Sequence, residues 1–270
     1  MSKPVAVTPG ARTGTAAVRP ATPRAPNIIT VASGKGGVGK TWLSVTLVHA
    51  LARAGHKTLL FDGDLGLANV DIQLGLLPKH DLGSVLSGTV TMAEAVARYA
   101  DGGFDILAGK SGSGALAVLS GDRLTQVRDG LVSIAQRYDR VVVDLGAGIE
   151  ANVRVLAGAS GTVLVVATDE PTSLTDAYAF IKVTTMQYPG TDVRIVVNQA
   201  ASAREGRRTY DTLRKACETF LNISPPLAGV IRSDPKVKDA IRAQTPMLIR
   251  YPTTNAAQDI ESLARTLLAN

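Results

Sequence analysis

The sequence predicts an α/β fold: one domain whose mostly parallel, twisted sheet is flanked by helices on both faces. Three observations support this prediction. The chain has 270 residues, of which 45% are hydrophobic, and this is enough for one sizeable core. Short apolar runs alternate with helical patterns along the chain, which is typical of parallel strands joined by right-handed crossovers. Most runs are continuous rather than alternating, as expected for strands that helices cover on both faces.

Seven apolar runs are predicted to be strands. They are residues 27–33, 57–62, 104–109, 139–144, 161–168, 192–198 and 226–231. Ligands in parallel α/β sheets bind at the carboxyl ends of the strands. Polar residues that directly follow these runs are therefore the first candidates for a functional site.

Helical patterns lie between the runs and after the last one. They cover residues 41–55, 122–138, 170–188 and roughly 254–268. The third begins with Pro171 in its first turn, where a missing N–H costs little. One face of a further helix carries Leu213, Ala216, Cys217 and Phe220. The cysteine is therefore expected to be a small buried hydrophobe.

Residues 1–26 are predicted to be a disordered basic tail, and residues 27–270 to be the folded domain. The tail is rich in Ala, Pro, Thr and Gly and has little to bury. Its charged residues are all basic: Lys3, Arg12, Arg19 and Arg24. The tail could be attracted to an acidic partner or to a membrane, or it could be a solvated leader.

The composition limits the classes of function. The net charge is +6, and residues 204–250 hold ten basic residues against five acidic ones, so this stretch could contact a phosphate backbone. A single cysteine excludes a metal cluster built from paired cysteines within the chain. No apolar run approaches the roughly 18 to 20 residues that a membrane span needs, and the N-terminus lacks the apolar segment of a signal peptide. We therefore expect a cytoplasmic protein.

Residues 34–41 read GKGGVGKT and fit the phosphate-loop pattern G-x-x-x-x-G-K-T. The stretch follows a predicted strand and opens a predicted helix, which is the context that the motif requires. Its glycines allow successive backbone N–H groups to surround phosphate oxygens, and the helix N-terminus adds partial positive charge. Lys40 is predicted to reach the β and γ phosphates, and Thr41 to give its hydroxyl to Mg²⁺.

This loop resembles the deviant Walker A motif of the MinD/ParA ATPases, in which the additional lysine, Lys35 here, is called the signature lysine. The resemblance covers residues 28–268 and implies ATP and Mg²⁺ as cofactors. It also implies an ATP-bound homodimer in which Lys35 crosses the interface and contacts the nucleotide of the partner. Such a cation supplied in trans acts like an arginine finger on the charge of the transferred phosphoryl group.

Two acidic segments follow predicted strands. Asp62 and Asp64 lie at the end of the second run, where two carboxylates can hold magnesium-bound water and orient an attacking water. In the family that the loop resembles, the residue at the position of Asp64 is the catalytic one. Asp144 ends the run VVVD and precedes two glycines, as in a Walker B motif. It is predicted to hold a magnesium-bound water or Thr41.

The patterns and the resemblance together define a candidate site. The predicted catalytic residues are Lys35, Lys40 and Asp64. The predicted magnesium-binding residues are Thr41, Asp62, Asp64 and Asp144. The predicted nucleotide-binding residues are Gly34, Lys35, Gly36, Gly37, Val38, Gly39, Lys40, Thr41 and Asn198. Asn198 is included because it resembles the family's adenine-contacting asparagine, whose amide can both donate and accept, and the N-K-x-D pattern of GTPases is absent.

Two residues depart from the family pattern. Arg232 stands where a proline is usual in the loop behind the adenine. Trp42 replaces the small or polar residue that usually follows the Walker threonine. Trp42 could pack at the dimer interface or beneath the phosphate-loop helix.

Residues 62–76 and 169–182 are most similar to the branch of flagellar-number regulators called FlhG or FleN. The resemblance implies an ATP-driven dimer that works with an FlhF-like GTPase and with transcription or flagellar basal-body proteins. It also implies a cytoplasmic protein with peripheral association at the inner membrane. The branch's D-Q-A-x-x-L motif is missing from residues 1–26. After Asp259 the only cation is Arg265, so the last helix is expected to pack on the core rather than anchor the protein.

Two other classes of function stay open at this point. A ParA-type partition ATPase would use residues 204–250 on non-specific DNA. A metabolic enzyme of related fold, such as an amide ligase or a metal-cluster carrier, would need a substrate-binding constellation or paired cysteines. The sequence shows neither, since His49, His56 and His80 are scattered.

Overall fold

The computed structural model describes residues 24–109 and 119–269. These residues form one eight-stranded sheet in the order β3-β4-β2-β5-β1-β6-β7-β8. The strands are β1 (Ala25–Ser33), β2 (Thr58–Gly63), β3 (Ala97–Tyr99), β4 (Phe104–Leu107), β5 (Arg140–Ala147), β6 (Ser160–Ala167), β7 (Asp192–Ala200) and β8 (Leu227–Arg232). Every neighbouring pair is parallel except β3 with β4.

Helices cover both faces of this sheet. They are α1 (Lys40–Arg53), α2 (Val70–Leu74), α3 (Leu82–Leu86), α4 (Gly121–Ala135), α5 (Ala151–Gly158), α6 (Pro171–Gln187), α7 (Ala203–Leu221), α8 (Pro235–Arg242), α9 (Met247–Arg250) and α10 (Asn255–Leu268). Helices α4 to α7 pack on one face, and α1, α2 and α8 to α10 pack on the other. The predicted fold class is therefore confirmed.

Each layer has its own apolar core. Leu131 of α4 and Phe180 of α6 are fully buried on one face, while Leu47 of α1 and Ile260 of α10 are fully buried on the other. Full burial of such a side chain contributes about 1.5–3 kcal/mol. Because both faces of the sheet are covered, the central strands are continuous apolar runs, as the three fully buried valines at 141–143 of β5 illustrate.

All seven predicted strands and the four predicted helices are present, and their ends differ from the prediction by three residues or fewer. The strand β3 was not predicted. It has three residues and pairs antiparallel with β4, so that Tyr99 lies opposite Phe104. Three residues are too few for a strand periodicity to show in the sequence. The predicted tail, residues 1–26, lies outside the described residues except for its last three, and β1 already begins at Ala25.

The prediction that one apolar face of α7 packs on the core is partly wrong. Cys217 is buried, as expected, but Phe220 is 72% exposed. Phe220 lies in the last turn of α7. Its ring contacts Tyr178 of α6 at 6.4 Å between centroids, instead of packing on the sheet.

The last helix packs on the core, as predicted. Ile260, Leu263 and Leu267 are buried along one face of α10. Among the described residues, no helix is long and apolar enough to span a bilayer.

The topology brings the predicted site residues to one edge of the sheet. The carboxyl ends of β1, β2 and β5 are neighbours. Asp62 lies opposite Asp144 in the β2–β5 pair, and Ser33 lies opposite Ala147 in the β1–β5 pair. The phosphate loop after β1 and the two acidic segments therefore meet at this edge.

Candidate nucleotide-binding site

The phosphate loop connects β1 directly to α1 and opens onto a cavity of about 660 Å³. Gly37 and Gly39 have φ values of 80° and 89°, in the left-handed region that glycine adopts without strain. A Cβ atom at Gly39 would also lie 2.6 Å from Asn198 Nδ2. Glycine is thus required at position 39 for conformation and for space. The spacing of glycines in the sequence already predicted this loop.

Lys40 and Thr41 begin α1 at the floor of the cavity. Lys40 is buried, and this burial lowers the pKa of its ammonium, while the nearby carboxylates of Asp144 and Asp64 raise it. Because the positive N-terminus of the helix lies beside it, the loop presents a concentration of positive potential to an anion. Thr41 lines the same cavity. Both residues therefore line the cavity, and their predicted contacts with phosphate and Mg²⁺ stay predictions.

Asp144 lies beneath this helix start. The Ser44 hydroxyl donates to Asp144 Oδ1 at 2.9 Å, and the Thr41 hydroxyl also bonds this carboxylate. Burial raises the pKa of Asp144 to about 6, although these two hydroxyls and Lys40 act in the opposite direction. The predicted contact between Asp144 and Thr41 is present. Ser44, one turn further into the helix, was not recognised from the sequence.

Asp62 is fully buried and holds the loop that follows β2. Its carboxylate accepts backbone N–H bonds from Asp64, Asn69 and Val70, each at 3.2 Å. Burial, followed by the charge of Asp144, raises the pKa of Asp62 to about 8. Asp62 therefore fixes the loop and the first turn of α2, a structural task in addition to the metal-binding one that the sequence predicted.

Asp64 lines the cavity. Its Oδ1 accepts the backbone N–H groups of Gly66 and Leu67 at 3.2 and 2.9 Å. A Cβ atom at Gly146 would lie 3.1 Å from this oxygen, so the glycine after β5 allows the close approach. Asp64 and the β5 segment are thus brought together, as the predicted roles require.

Magnesium fits this set of donors. Within the two described stretches of chain, no three acidic, histidine or cysteine side chains form a closed metal cage. Mg²⁺ is usually held by one or two carboxylates, substrate phosphates and several waters rather than by such a cage. A hydroxyl on Thr41 with the carboxylates of Asp144 and Asp64 nearby suits that mode of binding.

Asn198 is buried against the phosphate loop. Its Nδ2 donates to the carbonyl of Val38 at 2.8 Å. The next residue, Gln199, has φ of 57° and donates from Nε2 to the carbonyl of Gly37 at 3.3 Å. The end of β7 therefore holds the loop at two successive carbonyls. The predicted adenine contact of Asn198 stays a prediction, and Gln199 was missed because no sequence pattern marks a left-handed glutamine.

Lys35 does not lie over the cavity of its own protomer. Its Nζ forms an ion pair with the carboxylate of Glu170 and donates to Thr172 Oγ1 at 2.9 Å. Thr172 lies in the first turn of α6, and Glu170 directly precedes the helix. The predicted contact of Lys35 with a partner's nucleotide stays a prediction.

The two departures from the family pattern have local explanations. Trp42 is 5% exposed, belongs to the core on the α1 side of the sheet and lines the cavity, so it packs within the protomer. Arg232 bonds the carboxylate of Asp259 on α10 with two guanidinium nitrogens, each at 2.8 Å. This bidentate pair fixes the loop after β8 to the last helix.

The chain is similar to known nucleotide-binding proteins. Residues 29–247 match the family described as the CobQ/CobB/MinD/ParA nucleotide binding domain. Over 238 residues the chain is 38% identical to the antiactivator FleN of Pseudomonas aeruginosa, which covers 88% of this chain and 85% of that protein. Over 243 residues it is 31% identical to the flagellum site-determining protein YlxH of Helicobacter pylori, covering 89% and 81%.

The fold is also similar to a solved structure. The septum site-determining protein MinD of Pyrococcus horikoshii, complexed with Mg-ADP, superposes with a TM-score of 0.77 and 25% identity, covering 90% of this chain and 97% of that one. The predicted resemblance to MinD/ParA ATPases and to the FleN branch is confirmed. MinD-type ATPases bind ATP with Mg²⁺, in agreement with the predicted cofactors.

Proposed function

Because this chain belongs to the CobQ/CobB/MinD/ParA nucleotide-binding family, we propose that it is an ATPase that regulates the number or placement of flagella. The observation that carries this proposal is the 38% identity with the antiactivator FleN over 88% of the chain. The 31% identity with a flagellum site-determining protein points to the same process. The site adds a complete set of phosphate-loop and acidic residues, as nucleotide hydrolysis requires.

The proposed hydrolysis uses residues that the fold already holds in place. The backbone N–H groups of the loop and Lys40 bind the triphosphate, and Thr41 with Asp144 would hold Mg²⁺. Mg²⁺ held there would neutralise negative charge on the triphosphate. Asp64 accepts two backbone N–H bonds on one oxygen, and its other oxygen would orient an attacking water.

We further propose that two protomers close over two ATP molecules and that each Lys35 reaches the nucleotide of the other protomer. Two exposed apolar side chains line the cavity in the protomer, and they suit an interface that forms only with nucleotide. They are Leu67 and Ile241, which are 77% and 37% exposed. Hydrolysis would separate the protomers and end the signal. We expect slow turnover that a partner stimulates.

The remaining parts of the proposal concern the partners and the location in the cell. By similarity to FleN, the protein would act in the cytoplasm and at the inner membrane surface. Its partners would be an FlhF-like GTPase and flagellar or transcription regulators. The ATPase domain would begin with β1, whose first residue is Ala25, rather than at residue 27, and the basic tail would precede it.

The experiment that tests the function is deletion of the gene in the bacterium that carries it, followed by counting of flagella by electron microscopy. Deletion should increase the number of flagella per cell or displace them. Wild-type protein should restore the normal pattern, while Lys40→Ala should not. Unchanged flagella after deletion would refute the flagellar function without affecting the assignment as an ATPase.

One observation favours a second candidate, a partition ATPase that binds DNA. In the stretch 204–250, Arg214, Arg232 and Lys236 pair with acidic residues. Other cations of the stretch lie on exposed faces of α7 and α8: Arg204, Arg207, Arg208, Lys238 and Arg242. They could neutralise DNA phosphates.

Binding of random duplex DNA separates the two candidates. A partition ATPase should bind it with ATP but not with ADP, and the affinity should fall steeply with salt. Lack of ATP-dependent binding below about 150 mM salt would eliminate the partition function.

A further inference from the structure

We propose that residues 17–23 lie in the apolar groove between α6 and α7, so that the chain covers this groove with its own proline-rich segment. The proposal concerns the nucleotide-free protomer and does not depend on the proposed function. It starts from Phe220, which is 72% exposed in the last turn of α7. Large exposed apolar side chains that border a groove are typical of surfaces that bind another segment of chain. Another protein would then reach the groove only by displacing residues 17–23.

The groove has a volume of about 220 Å³ and is bordered by side chains of both helices. Leu174 and Tyr178 line it from α6, and Leu213, Ala216 and Phe220 line it from α7. The rings of Tyr178 and Phe220 lie 6.4 Å apart between centroids, with an angle of 79° between their planes. Two rings in this arrangement form a wedge-shaped slot. Grooves lined by aromatic rings bind the proline residues of polyproline II segments.

The chain carries a segment of that chemistry directly before the described residues. Residues 17–23 read AVRPATP and contain the pattern P-x-x-P at Pro20 and Pro23. Polyproline II has three residues per turn, so Ala17, Pro20 and Pro23 would present one apolar face to the groove. Because proline restricts its own backbone, such a segment loses little conformational entropy when it binds.

The point from which this segment extends is fixed near the groove. The Arg24 guanidinium donates to three acceptors at 3.2 to 3.4 Å. They are the carbonyls of Tyr188 and Pro189 and the Oγ1 of Thr191, all in the connection from α6 to β7. Residues 17–23 therefore start at the carboxyl-terminal end of α6, which is one of the two helices that form the groove.

The segment has the length that the groove requires. Along α6, at a rise of about 1.5 Å per residue, Tyr178 lies about 15 Å and Leu174 about 21 Å from the turn that binds Arg24. In polyproline II, Pro20 lies about 12 Å and Ala17 about 22 Å from Arg24. The two ends of the segment would therefore lie level with the two α6 residues of the groove. So short a tether gives an effective concentration on the order of millimolar, at which even a weak contact fills the groove.

The test measures the mobility of a spin label on an introduced cysteine. Cys217, the single native cysteine, is fully buried, so the label attaches only to the cysteine of Ala16→Cys. Its rotation should be slow in the nucleotide-free protein, because residues 17–23 are held in the groove. Phe220→Ala should shorten the rotational correlation time several-fold. Leu77→Ala is the matched control, since it removes a side chain that is 99% exposed in the connection from α2 to α3, and it should have no effect.

A second pair of variants changes the segment rather than the groove. Pro20→Ala combined with Pro23→Ala should release the label as much as Phe220→Ala does. Pro4→Ala combined with Pro9→Ala makes the same chemical change further along the tail and should leave the label slow. All four prolines lie outside the described residues, so this pair tests the proposal even if Phe220→Ala disturbs α7.

The label also reports where the segment lies. Its unpaired electron should broaden the amide signal of Ala216, which lines the groove, and should leave that of Leu77 sharp. Slow rotation that both Phe220→Ala and the Pro20/Pro23 variant release, with broadening at Ala216, supports the proposal. Fast rotation in the wild type, or failure of either variant to release the label, overturns it. Slow rotation that is lost on dilution would assign the groove to a second copy of the chain and would also overturn it.

Discussion

The two loops of the candidate site lie side by side but are held in different ways. The phosphate loop, residues 34–39, is held by distant parts of the chain: Asn198 bonds one of its carbonyls, and the backbone of Asp176 packs against its start. The loop after β2, residues 64–69, is held by its own neighbourhood, since Asp62 accepts N–H groups at both of its ends. One loop belongs to the core of the fold, and the other is a local structure attached to a strand.

This difference indicates which loop can respond to a nucleotide. A loop anchored by distant elements cannot move unless those elements move, so the phosphate loop acts as a fixed receptor. A locally held loop can change its conformation at the cost of a few local hydrogen bonds, without moving distant elements. Leu67, at the tip of the second loop, is 77% exposed, which leaves it free to join an interface.

The largest expected effect comes from Asp64→Ala, in the second loop. Hydrolysis should fall by about 10²- to 10⁴-fold, because the attacking water loses its positioned acceptor. ATP binding should persist, because the phosphate loop is unchanged, and the protein should accumulate as an ATP-bound dimer. Phosphate release measures the first effect, and Trp42 fluorescence measures the second. Lost ATP binding would show that the two loops are not separable.

Lys35→Ala tests the side chain of the phosphate loop that is bound to the start of α6 rather than directed into the cavity. Hydrolysis should fall by about 10²-fold or more, by analogy with cations supplied in trans. ATP-dependent dimerisation should be lost, while binding of nucleotide to the protomer stays largely intact. Light scattering and a fluorescence titration measure these effects, with Lys182→Ala as a control on α6. Normal dimerisation of Lys35→Ala would rule out a contact in trans.

Asn198→Ala tests the anchoring of the phosphate loop. It removes the donor to the Val38 carbonyl and leaves that buried acceptor unpaired, which should cost about 1–3 kcal/mol in stability and in ATP affinity. Gln199→Ala is the matched control, because it removes an exposed bond of 3.3 Å to the adjacent carbonyl and should have a smaller effect. Denaturant unfolding and nucleotide titration measure both. Equal effects would mean that burial does not decide the strength of this anchor.

The sequence predicted the phosphate loop better than it predicted the distant residues that bond to this loop. The glycine pattern fixes the conformation of the loop locally, and a continuous apolar run is typical of a covered strand. These features could therefore be recognised without a structure. The partner of Lys35 could not, because Glu170 is distant in sequence and meets Lys35 only through the order of β1 and β6 in the sheet. The same is true of Asn198 and its bond to Val38.

The role of Asp62 shows a second limit. Its position after β2 marked it as a candidate metal ligand. The spacing of two aspartates does not distinguish a metal ligand from a residue that holds a loop by hydrogen bonds. Only the structure shows three backbone N–H groups directed at its carboxylate. The strand β3 and the exposed Phe220 were missed for a related reason. Both depend on where an element ends relative to its neighbours, which periodicity does not report.

The smallest expected effect comes from the tip of the second loop. Leu67→Ser should change the free energy of unfolding by about 0.5 kcal/mol or less, because the side chain is exposed and the loop is held by backbone bonds to Asp64. Val38→Ser in the phosphate loop is the matched comparison, since Val38 is 3% exposed and loses about 1.5–3 kcal/mol of burial. Urea unfolding of the nucleotide-free protein measures both. Equal losses of unfolding free energy would mean that the second loop is as much a part of the core as the first. Asp64 would then lie in a rigid loop rather than in one that changes conformation with nucleotide.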